Sequence, residues 1–124
     1  MEVVAVLGAS SDSSRYAYKA MQMLEEYGHT PIPVHPREKE VLGKKVYPTL
    51  GDLAQTGQKI DTVTVYVNAA ISEKFTQDFL KLKPRRVIIN PGAESPRLEA
   101  ELKNSGIEVQ HACTLVLLRT NQYA

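Results

Sequence analysis

The sequence predicts an α/β domain: one open parallel sheet in the strand order 3-2-1-4-5, with helices on both faces. Three observations carry that reading. Short β-branched apolar runs recur along the chain ("VVAVL", "DTVTVYV", "RRVIIN"), as expected of parallel strands covered on both sides. Stretches with apolar residues at helical spacing separate them. The resulting strand–helix alternation calls for right-handed crossovers between parallel strands. The 124 residues suit one compact domain, with no repeat, linker or low-complexity tract to divide them.

Taken in order, Val3 to Leu7 form the first strand and end at Gly8. Ala17, Ala20, Met21 and Leu24 then fall at i, i+3, i+4 and i+7, an amphipathic helix stopped by Gly28. "TPIPVHP" is the second strand, with two prolines suggesting that it starts late. A turn at Gly43 leads to a short third strand at Lys45 to Tyr47 and a short helix opened by Thr49. Asp61 to Val67 form the fourth strand, and a helix follows from about Ser72 to Leu82, with Ser72 as its cap and Phe75, Phe79 and Leu82 on its buried face. "RRVIIN" is the next strand, the fourth main one when the short Lys45 to Tyr47 element is set aside. "SPRLEAELKNSG" is a helix with serine at the cap, proline at the first position and glycine beyond its end. "IEV" is a last short strand, and "CTLVLL" is apolar but undecided between helix and strand.

Composition removes several functions. Lysine plus arginine number 15 against 14 aspartate plus glutamate, so no net field draws nucleic acid or a membrane surface. No apolar stretch approaches the roughly 20 residues of a bilayer span. An acidic residue at position 2 followed directly by a strand is unlike a signal peptide. Cys113, the single cysteine, cannot form an internal disulfide, and the cytoplasm is the expected compartment.

Open parallel sheets bind ligands at the carboxyl ends of their strands, which directs attention to Gly8-Ala9-Ser10, His35-Pro36-Arg37, Val67-Asn68 and Asn90-Pro91-Gly92. Gly8 permits close backbone approach, and the helix behind it offers unpaired N–H groups and a positive dipole end to an anion. Ser10, Ser11, Ser13 and Ser14 add hydroxyls, and Arg15 adds a cation; serines that only cap a tight turn are the alternative. A dinucleotide fingerprint would need two more glycines where Ser10 and Ser13 stand, and an acidic residue after the second strand. Arg37 stands there instead, suited to a ribose bearing an extra phosphate, as in NADP or coenzyme A, or else simply solvated.

"VLGAS", "PVHPREKEVLGKKVYPTLGDL", "INPGAES" and "ACTLVLL", in this order and spacing, resemble the small stand-alone coenzyme A-binding proteins. These are similar to the nucleotide-binding half of the succinyl-CoA synthetase alpha subunit. The resemblance covers nearly the whole chain and implies a Rossmann-like three-layer αβα sandwich. It further implies that Gly8, Ala9, Ser10, Ser11, Ser14 and Arg15 hold coenzyme A phosphates. By the same resemblance, His35, Pro36 and Arg37 border the adenosine and its 3′-phosphate, and Val67 and Asn68 flank the adenine. Asn90, Pro91, Gly92, Ala93 and Glu94 lie near the pantetheine. Two positions depart from the pattern: Ala17 replaces a glycine common in the first helical turn, and Asn90 replaces a common glutamine.

Catalytic residues are not indicated. His29, His35 and His111 are scattered, no spacing suggests a metal site, and Cys113 in "ACTLVLL" reads as a buried, inert thiol. Glu94 occupies a strand end where a base could sit, but has no partner acid. In the synthetase, the phosphorylated histidine and the metal-binding nucleotide site lie outside the equivalent domain. The expectation is therefore non-catalytic binding of coenzyme A or an acyl-CoA. An NADP-dependent oxidoreductase or a subunit of an acyl-CoA-using enzyme is the alternative. A third reading is a vestigial pocket in a protein that acts through a protein partner or as a homodimer.

Overall fold

The computed structural model describes all 124 residues, Met1–Ala124. Five parallel strands form the sheet: β1 (Val3–Leu7), β2 (Thr30–Val34), β5 (Thr62–Val65), β6 (Arg86–Ile89) and β7 (Glu108–His111). They lie side by side in the order β2-β1-β5-β6-β7. Between β2 and β5 come a two-residue hairpin, β3 (Glu40–Val41) with β4 (Lys44–Lys45), and α2 (Leu50–Gln55). The other helices are α1 (Tyr16–Glu26), α3 (Ala69–Ser72), α4 (Thr76–Leu82), α5 (Pro96–Asn104) and α6 (Thr114–Arg119). None is long and apolar enough to cross a membrane.

The order agrees with the sequence expectation, and the place of the third strand is taken by one residue. Tyr47 alone bridges Val34 in parallel, donating its N–H to the Pro33 carbonyl and accepting from the His35 N–H. The reason lies in the prolines. Thr30 donates its N–H across to Glu2 beside β1, so Ile32 and Val34 face that way too, while Pro31 and Pro33 fall on the outer side. A strand cannot gain proline donors on that side, so β2 starts at Thr30 with its prolines tolerated, and its outer neighbour stays short.

Residue parity divides the core into two. Ala5, Leu7, Val63, Val65, Val87 and Ile89 point to one face, where Leu50, Leu53, Phe79, Leu98 and Leu102 of α2, α4 and α5 cover them. Val4, Val6 and Ile88 point to the other, beneath Ala17, Met21 and Leu24 of α1 and Leu117 and Leu118 of α6. Both sets are almost fully buried, and each fully buried aliphatic side chain contributes on the order of 1.5–3 kcal/mol. The undecided "CTLVLL" segment is helical because one side of it completes this second layer.

Two further differences concern helix starts. The helix expected from Ser72 begins earlier, at Ala69, capped by the Asn68 side chain, and passes through a 3-10 turn at Glu73–Phe75 before α4. Ser72 is buried inside that stretch. Thr49 and Ser95 cap α2 and α5 as expected, and Gly28 ends α1 with φ +88°.

Candidate functional site

Strand register aligns Leu7, Val34, Val65, Ile89 and His111 in one row. The residues immediately beyond, Gly8, His35, Tyr66 and Asn90, therefore form the carboxyl edge of the sheet. A cleft of about 520 Å³ opens above this edge, between the start of α1 and the turns after β5 and β6. Gly8, Ser14 and Arg15 line it on one side; Val67, Asn68, Pro91, Gly92 and Ala93 line it on the other. Tyr16, Ala17 and Tyr66 complete the wall.

Gly8 is fixed at its position by two constraints. Its φ of +92° disfavours any L side chain, and a Cβ there would stand 2.8 Å from Val67 Cγ1 and 3.3 Å from the Tyr66 carbonyl. Its N–H and that of Ala9 both donate to the Val34 carbonyl. Ala9 itself is buried beneath α1, so the residue contributes backbone only.

The N-terminus of α1 differs from those of α2, α3 and α5. Arg15 occupies the cap position without a side-chain cap, and no acidic residue sits in the first turn. The N–H groups of Tyr16, Ala17 and Tyr18 find no acceptor in the protein, and neither do those of Ser10 and Ser13. Such aligned donors at a helix start attract an anion. The remaining loop donors are engaged internally. Ser11 gives its N–H and its hydroxyl to the Glu38 carboxylate, at 2.8 and 3.0 Å. Asp12 donates its N–H to Ser10 Oγ, and Ser14 donates N–H and hydroxyl to the Asp12 carboxylate. These bonds hold the Glu38 and Asp12 carboxyls below the usual carboxylate range; the Ser11 N–H is the main cause for the first and the Ser14 hydroxyl for the second.

The structure thus separates the sequence-predicted residues into groups. His35, Pro36 and Arg37 lie outside the cleft, at its β2 margin. His35 Nδ1 accepts the N–H groups of both Arg37 and Glu38, which shapes this turn. Arg37 is exposed and makes no ion pair, and Arg15 makes only a loose one with Asp12 at 4.0 Å. Asn90 is buried and tied to the fold: Nδ2 donates to Thr64 Oγ1 and the Val65 carbonyl, and Oδ1 accepts the Thr114 N–H. Asn68 likewise caps α3. The Glu94 carboxylate lies at the rim, held below the usual carboxylate range first by its own backbone N–H and then by the Gly92 N–H that it accepts, which makes it a poor base.

Sequence reasoning overlooked Tyr66, Tyr16 and the Glu38 clamp. Strand alternation past Val65 turns Tyr66 to the α1 side, and that was the available signal. Its burial raises the phenol pKa well above the ordinary value, so it stays protonated. The clamp joins residues 27 apart, for which no local pattern exists.

Comparison with known proteins accords with this geometry. A crystal structure of an uncharacterized protein superposes with a TM-score of 0.87 at 38% identity, covering 98% of each chain. A Thermus thermophilus protein gives 0.88 at 29% identity, over 98% of this chain and 90% of the other. The dinucleotide-forming acetyl-coenzyme A synthetase 1 of Candidatus Korarchaeum cryptofilum shares the fold at 22% identity and a TM-score of 0.72. The match spans 87% of this chain but only 25% of the synthetase. The family model described as CoA binding domain matches residues 2–119, and the chain belongs to that family.

Proposed function

We propose that this protein binds coenzyme A or an acyl-CoA without transforming it. The pyrophosphate sits on the open N–H groups at the head of α1, and Gly8 gives it room. The unengaged donors of Ser13, Tyr16, Ala17 and Tyr18, beside a glycine that cannot carry a side chain, are the observation that carries the reading. Val67 and Asn68 flank the adenine, and Pro91, Gly92 and Ala93 run beside the pantetheine. Ser10 supplements the phosphate donors, and Ser14, whose N–H and hydroxyl are given to Asp12, shapes the loop. Ser11, Glu38, Asn90 and Glu94 set the shape of the turns through the bonds described above.

Arg37, unpaired at the β2 margin, reads the 3′-phosphate, with Arg15 as a second cation. A charge-assisted contact of this kind contributes about 1.5–3 kcal/mol, or roughly 10- to 150-fold in affinity. Calorimetric titration of the wild type, Arg37→Ala and Arg15→Ala/Arg37→Ala with coenzyme A and dephospho-coenzyme A tests it. The arginine variants should weaken coenzyme A by about that factor and leave dephospho-coenzyme A nearly unchanged. Equal affinity for both ligands in every variant contradicts the assignment. Tight NADP binding lost in Arg37→Ala would favour the oxidoreductase reading instead.

A further inference from the structure

A second cavity of about 410 Å³ adjoins the cleft, between α1 and α6, and Tyr66 and Pro91 line both. Its character is different. Leu115 and Val116 of α6 form an apolar wall, and Val116 is 49% exposed where a surface helix would ordinarily place a polar residue. No acidic residue lines it, yet two exposed cations do: Lys19 from α1 and Arg119 from α6. Neither belongs to any ion pair of the protein; Lys19 Nζ lies 5.6 Å from the centre of the Tyr16 ring.

An apolar chamber flanked from two helices by unpaired cations fits a short hydrocarbon chain ending in a negative charge. Its walls would take the methylenes, and its cations the terminal group. We propose that this chamber is an acyl subsite selective for acyl thioesters whose chain ends in a carboxylate. The proposal rests on the coenzyme A reading above, because continuity with the cleft is what delivers an acyl group to the chamber. An unsubstituted acyl chain would gain only the apolar wall. A carboxylate without the two cations would be penalised for entering it.

Glutaryl-CoA and pentanoyl-CoA have acyl chains of equal carbon number and differ at the terminal carbon, carboxylate against methyl. Their dissociation constants, with that of free coenzyme A, are measured at low ionic strength. Both esters should bind more tightly than coenzyme A, by about fourfold per methylene buried. Glutaryl-CoA should exceed pentanoyl-CoA by about three- to tenfold, a preference that fades with salt. In Lys19→Ala/Arg119→Ala the preference should reverse while coenzyme A affinity holds. In Val116→Trp, which fills the chamber, both esters should fall to the level of coenzyme A. Esters no tighter than coenzyme A, a wild-type preference for pentanoyl-CoA, or a glutaryl preference that survives the double substitution would each overturn the subsite alone. Failure of coenzyme A itself to bind would overturn the function proposed above, and the subsite with it.

Discussion

The two ends of the sheet treat their polar groups in opposite ways. At the amino ends of the strands, the buried Arg86 guanidinium makes four hydrogen bonds, to Thr62 Oγ1, Gln110 Oε1, the Tyr123 carbonyl and Glu2. It also lies 4.5 Å from the Tyr123 ring centre, while Glu2 is shared with Arg85 and Thr62. The network ties β1, β5, β6, β7 and the last turn of the chain together through contacts internal to the protein. At the carboxyl ends the situation reverses. Helix donors stand open, Arg37 is unpaired, and a glycine holds back the bulk that would close the gap. At the amino end every Arg86 contact is internal, although the buried Tyr123 hydroxyl is left without a partner. At the carboxyl end the helix-start donors are left open. The Arg86 network is buried and bonded within the protein, which marks it as structure, whereas the open donors and Arg37 at the carboxyl end face solvent, where a ligand can reach them.

That contrast makes separable predictions, of which the largest concerns the amino end. Arg86→Ala removes the centre of a buried network and leaves the Tyr123 carbonyl and Gln110 Oε1 without this donor, while Glu2 keeps Arg85 and Thr62. Urea unfolding should show a loss of about 3–5 kcal/mol, with coenzyme A affinity of the folded protein unchanged. A variant of near-native stability would show that the network contributes little; a variant that folds but no longer binds would join the two ends that the account separates.

Gly8→Val acts at the other end. Its positive φ should cost about 1–3 kcal/mol, and the crowding against Val67 should cut coenzyme A affinity at least about tenfold. Full affinity in the folded variant contradicts the placement of the ligand.

The smallest effect is common to both ends. Burial lowers the pKa of His35, whose Nδ1 accepts two backbone N–H groups, and that of His29, whose Nδ1 accepts the Glu2 N–H. Because the folded values are depressed, these histidines contribute stability above their ordinary pKa of about 6.5. That contribution is lost as the pH falls through the lower folded values. Thermal unfolding between pH 7.5 and 5 should show this acid sensitivity, reduced in His29→Asn/His35→Asn, where the amide oxygen remains an acceptor. An unchanged pH profile in that variant would assign the sensitivity elsewhere.

Most of the fold is legible in the sequence because period and parity are local. "VVAVL" and the i, i+3, i+4, i+7 stripe of α1 each announce both their element and their buried face. The departures are non-local. The third strand dwindles to Tyr47 because of prolines on a different strand, and α3 starts at Ala69 because the Asn68 side chain caps it through the Ile71 N–H. The site divides the same way. Gly8 and the turns at Val67 and Pro91 are readable as strand ends. The engagement of Ser11 by Glu38 and of Asn90 by Thr64 and Thr114 depends on contacts across elements. Chemical type alone therefore made ligand donors of side chains that the fold uses for itself.

The central claim is that an anionic ligand completes the head of α1, and backbone amide shifts report on it directly. In a nitrogen–proton correlation spectrum titrated with coenzyme A, the N–H signals of Ser13, Tyr16, Ala17 and Tyr18 should move most. Those of Thr62, Arg86 and Glu108 at the amino end should stay in place. Static signals at the head of α1 under saturating coenzyme A, or shifts centred on the amino end, would contradict the account.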